Sequence, residues 1–145
     1  ALACDLRLAA TTARLGSPEI RWGRIPSAGG TQRLTRIAGQ AIARQLLLLG
    51  ELLTADEAFQ LGLVHQVAPP DGLDGLQQDL LNTLKGNAPI ALAYVKEAVR
   101  QGADMSLADG LRLEADLSAL LQTTRDRAEG IAAFLQRRPP HFTGH

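Results

Sequence analysis

Apolar and polar residues alternate at the start of the chain. Leu2, Cys4, Leu6 and Leu8 fall on one side of an extended backbone, with Asp5 and Arg7 on the other. This period of two predicts a strand over Leu2–Ala10, with Cys4 an inert member of its apolar face. The periodicity stops between Gly16 and Gly30, where glycine, proline and serine crowd together and predict loop and tight turns. Helical spacing then begins. "GGTQRLTRIAG" (29–39) predicts a helix capped by Thr31 and stopped at Gly39. Gln40–Gly50 predicts a second helix, closed by the residue type best suited to a left-handed C-cap. "TADE" at Thr54–Glu57 is a capping box that opens a short helix ending near Gly62, and Leu63–Val67 predicts a second short strand.

The rest of the pattern is helical. Leu73, Leu76, Leu80, Leu81 and Leu84 mark one face of a helix over Asp71–Lys85. Pro89 suits the first turn of the next, which runs to Gly102. Ser106, with Asp109 three residues on, caps a helix through Leu121. Thr124 opens the last helix, which Pro139–Pro140 should terminate. Two isolated short strands do not make a stable sheet. They are therefore expected to pair with another chain or with strands outside this sequence.

Composition narrows the picture. The chain has 145 residues, 46% hydrophobic and 21% charged, as an ordinary globular domain does. Aromatics are only 3%, so the core must be built from Leu, Ala, Ile and Val. A formal net charge of zero argues against a general nucleic-acid binder. One cysteine allows neither an intrachain disulfide nor a cysteine metal cluster, which fits a reduced, cytoplasmic setting. The longest apolar run, Leu46–Gly50, is far short of the roughly 20 residues that span a bilayer. Asp5 and Arg7 interrupt the first ten residues, which a signal peptide would avoid. The chain opens inside an apolar pattern without Met, so a cut N-terminus is expected.

Candidate chemistry is sparse. His65, His141 and His145 have no partner at ligand spacing, so no metal site is expected. Gly29–Gly30 is not followed by the Lys-Ser/Thr of a phosphate loop and suits tight helix–loop packing instead. Arg137 and Arg138 could meet phosphate groups, although cations are favourable at any helix C-terminus. Glu19 stands out in "GSPEIRWGRIPSAGG". Pro18 stiffens the backbone before it, and the small residues Ser27, Ala28, Gly29 and Gly30 follow. That combination leaves room for a substrate or water beside a carboxylate capable of acid–base work. By itself, a glutamate after proline is an ordinary surface or helix-start charge.

Read together, "ALACDLRLAA", "ARLGSPEIRWGRIPSAGGTQRLTRIAG", "LLTADEAFQLGLVHQV" and "TRDRAEGIAAFLQRRPPHFTG" closely resemble the enoyl-CoA hydratase/isomerase (crotonase) superfamily, in order and over essentially the whole chain. The resemblance implies an α/β fold of the ClpP/crotonase type, helix-rich with few short strands. The chain resembles its C-terminal portion, with 1–70 the remainder of the α/β core and 71–145 a C-terminal helical region. The implied activity is a hydro-lyase reaction, hydration of a trans-2-enoyl-CoA to a 3-hydroxyacyl-CoA. Coenzyme A would arrive as part of the substrate, with no further cofactor and no metal. Glu19 matches the second of the family's two catalytic glutamates. The first glutamate and both oxyanion-hole donors would lie upstream of Ala1, so the isolated chain is expected to be inactive. Pro26, Ser27, Ala28 and Gly29 match the substrate loop. Ser27 stands where glycine is usual and where a backbone N–H contacts the reacting water. Phe134 on the last helix would line the acyl pocket. The resemblance also implies a homo-oligomer, a trimer or hexamer. Two other readings stay open: an enoyl-CoA isomerase or other enolate-forming member, and a non-catalytic helical module for assembly.

Overall fold

Two pairs of three-residue strands organise the first part of the chain. β1 (Leu8–Ala10) runs parallel to β4 (Gln66–Ala68), with Leu8 opposite Gln66. β2 (Arg14–Gly16) runs antiparallel to β3 (Leu52–Thr54), with Gly16 opposite Leu52. The two predicted strands, found as β1 and β4, thus pair with each other, and β2 and β3 form a second pair that the periodicity does not mark. The computed structural model describes residues 1–145. They form two units, Ala1–Gln78 and Asp79–His145, with the division inside α3 (Leu73–Lys85).

The first unit is built around α1 (Gly30–Leu49). Gly39 breaks it with φ 79° and ψ 164°, so it is two helical segments meeting where the sequence predicts a stop. Gly50, at φ 61°, closes it in the left-handed conformation that a residue without Cβ adopts at little cost. The N-cap is Gly29 and not Thr31, which lies in the first turn. α2 (Ala55–Gln60) starts at the predicted capping box. Thr54 Oγ1 accepts from Glu57 N–H at 3.2 Å, and Glu57 Oε2 accepts from Thr54 N–H at 2.7 Å. Leu34, Ala43 and Leu46 of α1 meet Leu53, Ala55, Ala58, Leu63 and Val64 in one apolar core. Ala55 and Ala58 are fully buried, so any larger side chain at either position would displace a neighbour.

The N-terminal stretch departs from expectation. Only Leu8–Ala10 has a ladder partner, so only those residues form a strand. The segment before it turns: Cys4 N–H donates to Ala1 C=O, and the Arg7 guanidinium donates to Cys4 C=O and Leu63 C=O, each at 2.6 Å. Cys4 is consequently exposed and belongs to no apolar strand face. The second predicted strand is shifted from 63–67 to Gln66–Ala68. Leu63 and Val64 N–H groups both donate to Ala58 C=O, which wraps them around the end of α2 and into the core.

Gly16 is required by close approach. A Cβ there would run into the Glu51 carbonyl oxygen and stand 2.8 Å from Leu52 Cδ2. Gly16→Ala must force β2 from β3, an overpacking cost of about 1–3 kcal/mol. A urea unfolding midpoint lowered at unchanged slope is the expected measurement.

In the second unit, α4 (Pro89–Gly102) packs along α5 (Leu107–Leu121). Ser106 caps α5, its Oγ accepting from Asp109 N–H at 3.2 Å. Thr124 caps α6 (Arg125–Gln136) in the same way through Arg127 N–H at 3.2 Å. The last helix ends at Arg137, in the left-handed region at φ 52°, before the prolines that the sequence names as its stop. The tail then folds back on α6. Asp126, 2% exposed, accepts from Thr143 N–H at 2.7 Å and Gly144 N–H at 2.8 Å. Glu129 takes both arms of the Arg138 guanidinium, at 2.6 and 2.8 Å, and His141 N–H at 2.8 Å. Phe142 covers Gly130.

Candidate active site

Glu19 lies in a 3₁₀ turn, Pro18–Trp22, that starts two residues after β2. Pro18 pre-sets the first turn, and Gly23 at φ 68° reverses the chain. Gly23 N–H donates to Ile20 C=O and Arg24 N–H to Glu19 C=O, both at 3.1 Å. The backbone around Glu19 is thereby fixed at both ends. Glu19 itself is part-buried, and its Oε2 atom is buried without any hydrogen-bond partner in the chain. A buried carboxylate oxygen left unpaired is expensive, and native structures keep very few of them. The neighbouring acids are committed elsewhere: Glu57 to its capping box and Glu51 to Gln45 at 3.3 Å. Glu19 is the acid of this unit with a buried and uncommitted oxygen.

The small-residue stretch forms a second turn. Gly30 N–H donates to Ser27 C=O at 3.0 Å, and the two residues between, Ala28 at φ 53° and Gly29 at φ 78°, both have positive φ. This is the type I′ pattern. Gly30 has no room for a side chain, since its Cβ would stand 2.8 Å from Pro26 Cβ. The turn leads directly into α1, where Arg33 N–H donates to Gly29 C=O at 2.8 Å. Pro26 is half-buried, and Ser27, Ala28 and Gly29 are exposed.

Two clefts are lined by residues close to Glu19 in the chain, and Glu19 itself lines neither. One, about 260 Å³, is walled by Leu15, Leu34, Leu46, Leu53 and Leu63, and includes Gly16 and Ser17 just before the glutamate. The other, about 400 Å³, includes Ile20 just after it, together with Arg24, Ile25, Pro26, Thr31 and Leu47. The second cleft thus takes Ile20 from the glutamate turn, and Pro26 and Thr31 from either side of the small-residue turn. Apolar walls with a few polar groups can receive an acyl group.

The remaining predicted positions have the following settings. Phe134 is on α6 in the second unit and is 82% exposed, so the buried side of that helix is formed by Asp126 and Ala133 and not by Phe134. Arg138 is held by Glu129 and is not a free helix-end cation, while Arg137 forms the helix C-cap. His65 is a backbone partner. Its Nδ1 accepts from Arg7 N–H at 3.0 Å, and its N–H donates to Arg7 C=O at 2.8 Å. No three His, Cys, Asp or Glu side chains stand close enough together to hold a metal ion. No helix is long and apolar enough to cross a membrane.

The first unit thus holds a carboxylate in a proline-started turn and a glycine-rich turn at the start of α1. The family model described as enoyl-CoA hydratase/isomerase matches residues 1–145. The chain belongs to that family, and its fold is the helix-rich α/β crotonase type. It is 45% identical over 144 residues to 2,3-dehydroadipyl-CoA hydratase of Escherichia coli (strain K12), covering 99% of this chain and 56% of that protein. It is 42% identical over 134 residues to a short-chain-enoyl-CoA hydratase of Clostridioides difficile, covering 92% of this chain and 86% of that one. A crystal structure of an enoyl-CoA hydratase subunit from Geobacillus kaustophilus HTA426 matches with a TM-score of 0.96 and 41% identity, covering all of this chain and 56% of that one. The chain thus spans a little over half the length of the Escherichia coli relative and the Geobacillus structure.

Proposed function

We propose that the protein containing this chain adds water to a trans-2-enoyl-CoA and gives a 3-hydroxyacyl-CoA. The observation that carries this reading is the buried, unpartnered Oε2 of Glu19, in a segment whose neighbouring residues line two apolar clefts. In the reaction the C2–C3 π bond breaks, the oxygen of water bonds to C3, and C2 receives a proton. The π electrons pass through the thioester as an enolate before that proton arrives. No electrons enter or leave, so the reading requires no redox cofactor. In this reading Glu19 carries the proton exchanged at C2, and the second acid–base role of a two-carboxylate hydration is assigned to no residue of this chain. The names of the Escherichia coli and Clostridioides difficile relatives, both hydratases of CoA thioesters, support the substrate class. The phosphates and pantetheine of the substrate supply binding energy at a distance from the reacting carbons.

Offering the protein two substrates separates this reading from the isomerase one. A hydratase consumes trans-2-enoyl-CoA and gives a product heavier by one water. An isomerase converts 3-enoyl-CoA to 2-enoyl-CoA with no change of mass. Conversion of the 3-enoyl substrate alone would overturn the hydratase assignment.

A further inference from the structure

The formal net charge of zero hides an uneven distribution. Between Glu19 and Glu51 stand five arginines, Arg21, Arg24, Arg33, Arg36 and Arg44, and no aspartate or glutamate. Three of them gather around one cleft. Arg24 and Arg44 line the cleft of about 400 Å³ together with Ile20, Ile25 and Leu48. Arg21 lies beside Ile20 against Gly50, at the end of α1. No carboxylate neutralises these three. Arg44 donates to Gln40 Oε1 at 2.9 Å, and the guanidinium groups of Arg21 and Arg24 have no partner in the chain. A cluster of one sign attracts counter-charge from outside the molecule.

The apolar residues among these arginines are exposed as well. Trp22 is 69% exposed, Ile25 76% and Leu48 69%. Trp22 follows Arg21 in the 3₁₀ turn, and Leu48 belongs to the last turn of α1. Single exposed apolar residues are ordinary, but a group of them rimmed by charge marks an interaction surface. Its partner must supply two things together, an apolar environment and anions. Nucleic acid offers anions but no apolar medium for isoleucine and leucine. An acidic protein would need a fixed surface shaped to three protruding side chains. The boundary of a bilayer with anionic headgroups needs no fixed shape. There tryptophan settles at the headgroup level and aliphatic side chains reach the acyl chains. Arginine stems lie along the apolar layer with their charge among the phosphates.

We infer that this face of the first unit, Trp22, Ile25 and Leu48 with Arg21, Arg24 and Arg44, docks on an anionic lipid surface. The contact is peripheral, since no helix is long and apolar enough to cross a membrane. Each arginine near such a surface strengthens binding roughly fivefold, and the attraction fades over about 10 Å at 0.1 M salt. The inference is independent of the proposed function, because it uses neither Glu19 nor the small-residue turn.

Trp22 is the one tryptophan of the chain, so its emission, with a Trp22→Phe variant as background, reports the contact directly. The protein is mixed with vesicles of phosphatidylcholine alone, or of phosphatidylcholine and phosphatidylglycerol in equal parts. Binding to the anionic vesicles is expected to be at least about tenfold tighter than to the neutral ones. Trp22 emission should move to shorter wavelength, and high salt should release the protein. Changing Arg21, Arg24 and Arg44 together to glutamine should weaken binding about a hundredfold. Changing the same three to lysine should keep it within about threefold, because the bilayer attracts charge. Binding to neither kind of vesicle, or equal binding to both, would overturn the inference. So would binding to anionic vesicles that leaves Trp22 emission unmoved, or the same emission change produced by inorganic phosphate alone. Binding of polyglutamate without binding of vesicles would give the face to an acidic protein and overturn the inference too.

Discussion

Glu19→Gln is expected to lower the turnover of a trans-2-enoyl-CoA by roughly 10²–10⁴-fold while leaving acyl-CoA affinity within about twofold. Glutamine keeps the length, planarity and branching of the side chain, so the turn from Pro18 to Trp22 and the walls of both clefts should be preserved. What it removes is the proton. An amide neither accepts nor delivers one at the pH of the reaction, whatever its geometry. It also places a polar group where Oε2 lies buried without a partner. The comparison therefore separates chemistry from binding, with kcat as the informative quantity and the dissociation constant of a non-reactive acyl-CoA as the control. Unchanged turnover would remove Glu19 from the mechanism.

The second large effect concerns the tail. The Glu129 carboxyl is held down at about 2, from an ordinary 4.5, by hydrogen bonds from the Arg138 guanidinium and then from His141 N–H. The Asp126 carboxyl is lowered too, first by Thr143 N–H and then by Gly144 N–H, against the opposing effect of burial. Both groups bind protons more weakly folded than unfolded. Their contribution to stability is therefore complete above the ordinary carboxylate range and is lost as pH falls through the folded values. For Glu129 that window runs from about 4.5 down to about 2. The segment from Pro139 to His145 is expected to stay clasped to α6 at neutral pH and to detach within that window, followed by the amide resonances of Thr143 and Gly144. Asp126→Ala should bring the same detachment to neutral pH, with protection of those two amides from hydrogen exchange falling roughly tenfold or more. Unchanged protection in the variant would show that the Glu129 bonds, the His145 carbonyl and Phe142 packing hold the tail without Asp126.

The local signals in the sequence were legible because each carries its own mechanism. Gly39, Gly50, Thr54, Pro89, Ser106 and Thr124 all mark helix boundaries where the structure places them. Of the strands, β1 and β4 were found with wrong bounds, and β2 and β3 were not legible. β2 and β3 are three residues each, too short for alternation to register, and their pairing joins Arg14 to Thr54 across forty positions. The apparent alternation from Leu2 to Leu8 misleads, because a ladder partner exists only from Leu8 onward. Glu19 could be singled out from its setting, between a stiffening proline and a run of small residues, with the family resemblance giving it a role. The unpaired state of its buried oxygen depends on every residue around it and has no signature in the sequence. The same holds for Ala28. Nothing in "PSAGG" says that the alanine, and not only the glycine after it, takes the left-handed conformation.

The central claim, that Glu19 serves the addition of water to an enoyl thioester, is most directly tested with water labelled by heavy oxygen. The protein and its Glu19→Gln variant are each supplied with trans-2-enoyl-CoA in labelled water, and the products are analysed by mass. The account predicts one labelled oxygen on C3 of a 3-hydroxyacyl-CoA from the unmodified protein, and almost none from the variant in the same time. Label incorporated equally by both, or an unmodified protein that rearranges the double bond without taking up label, would contradict it.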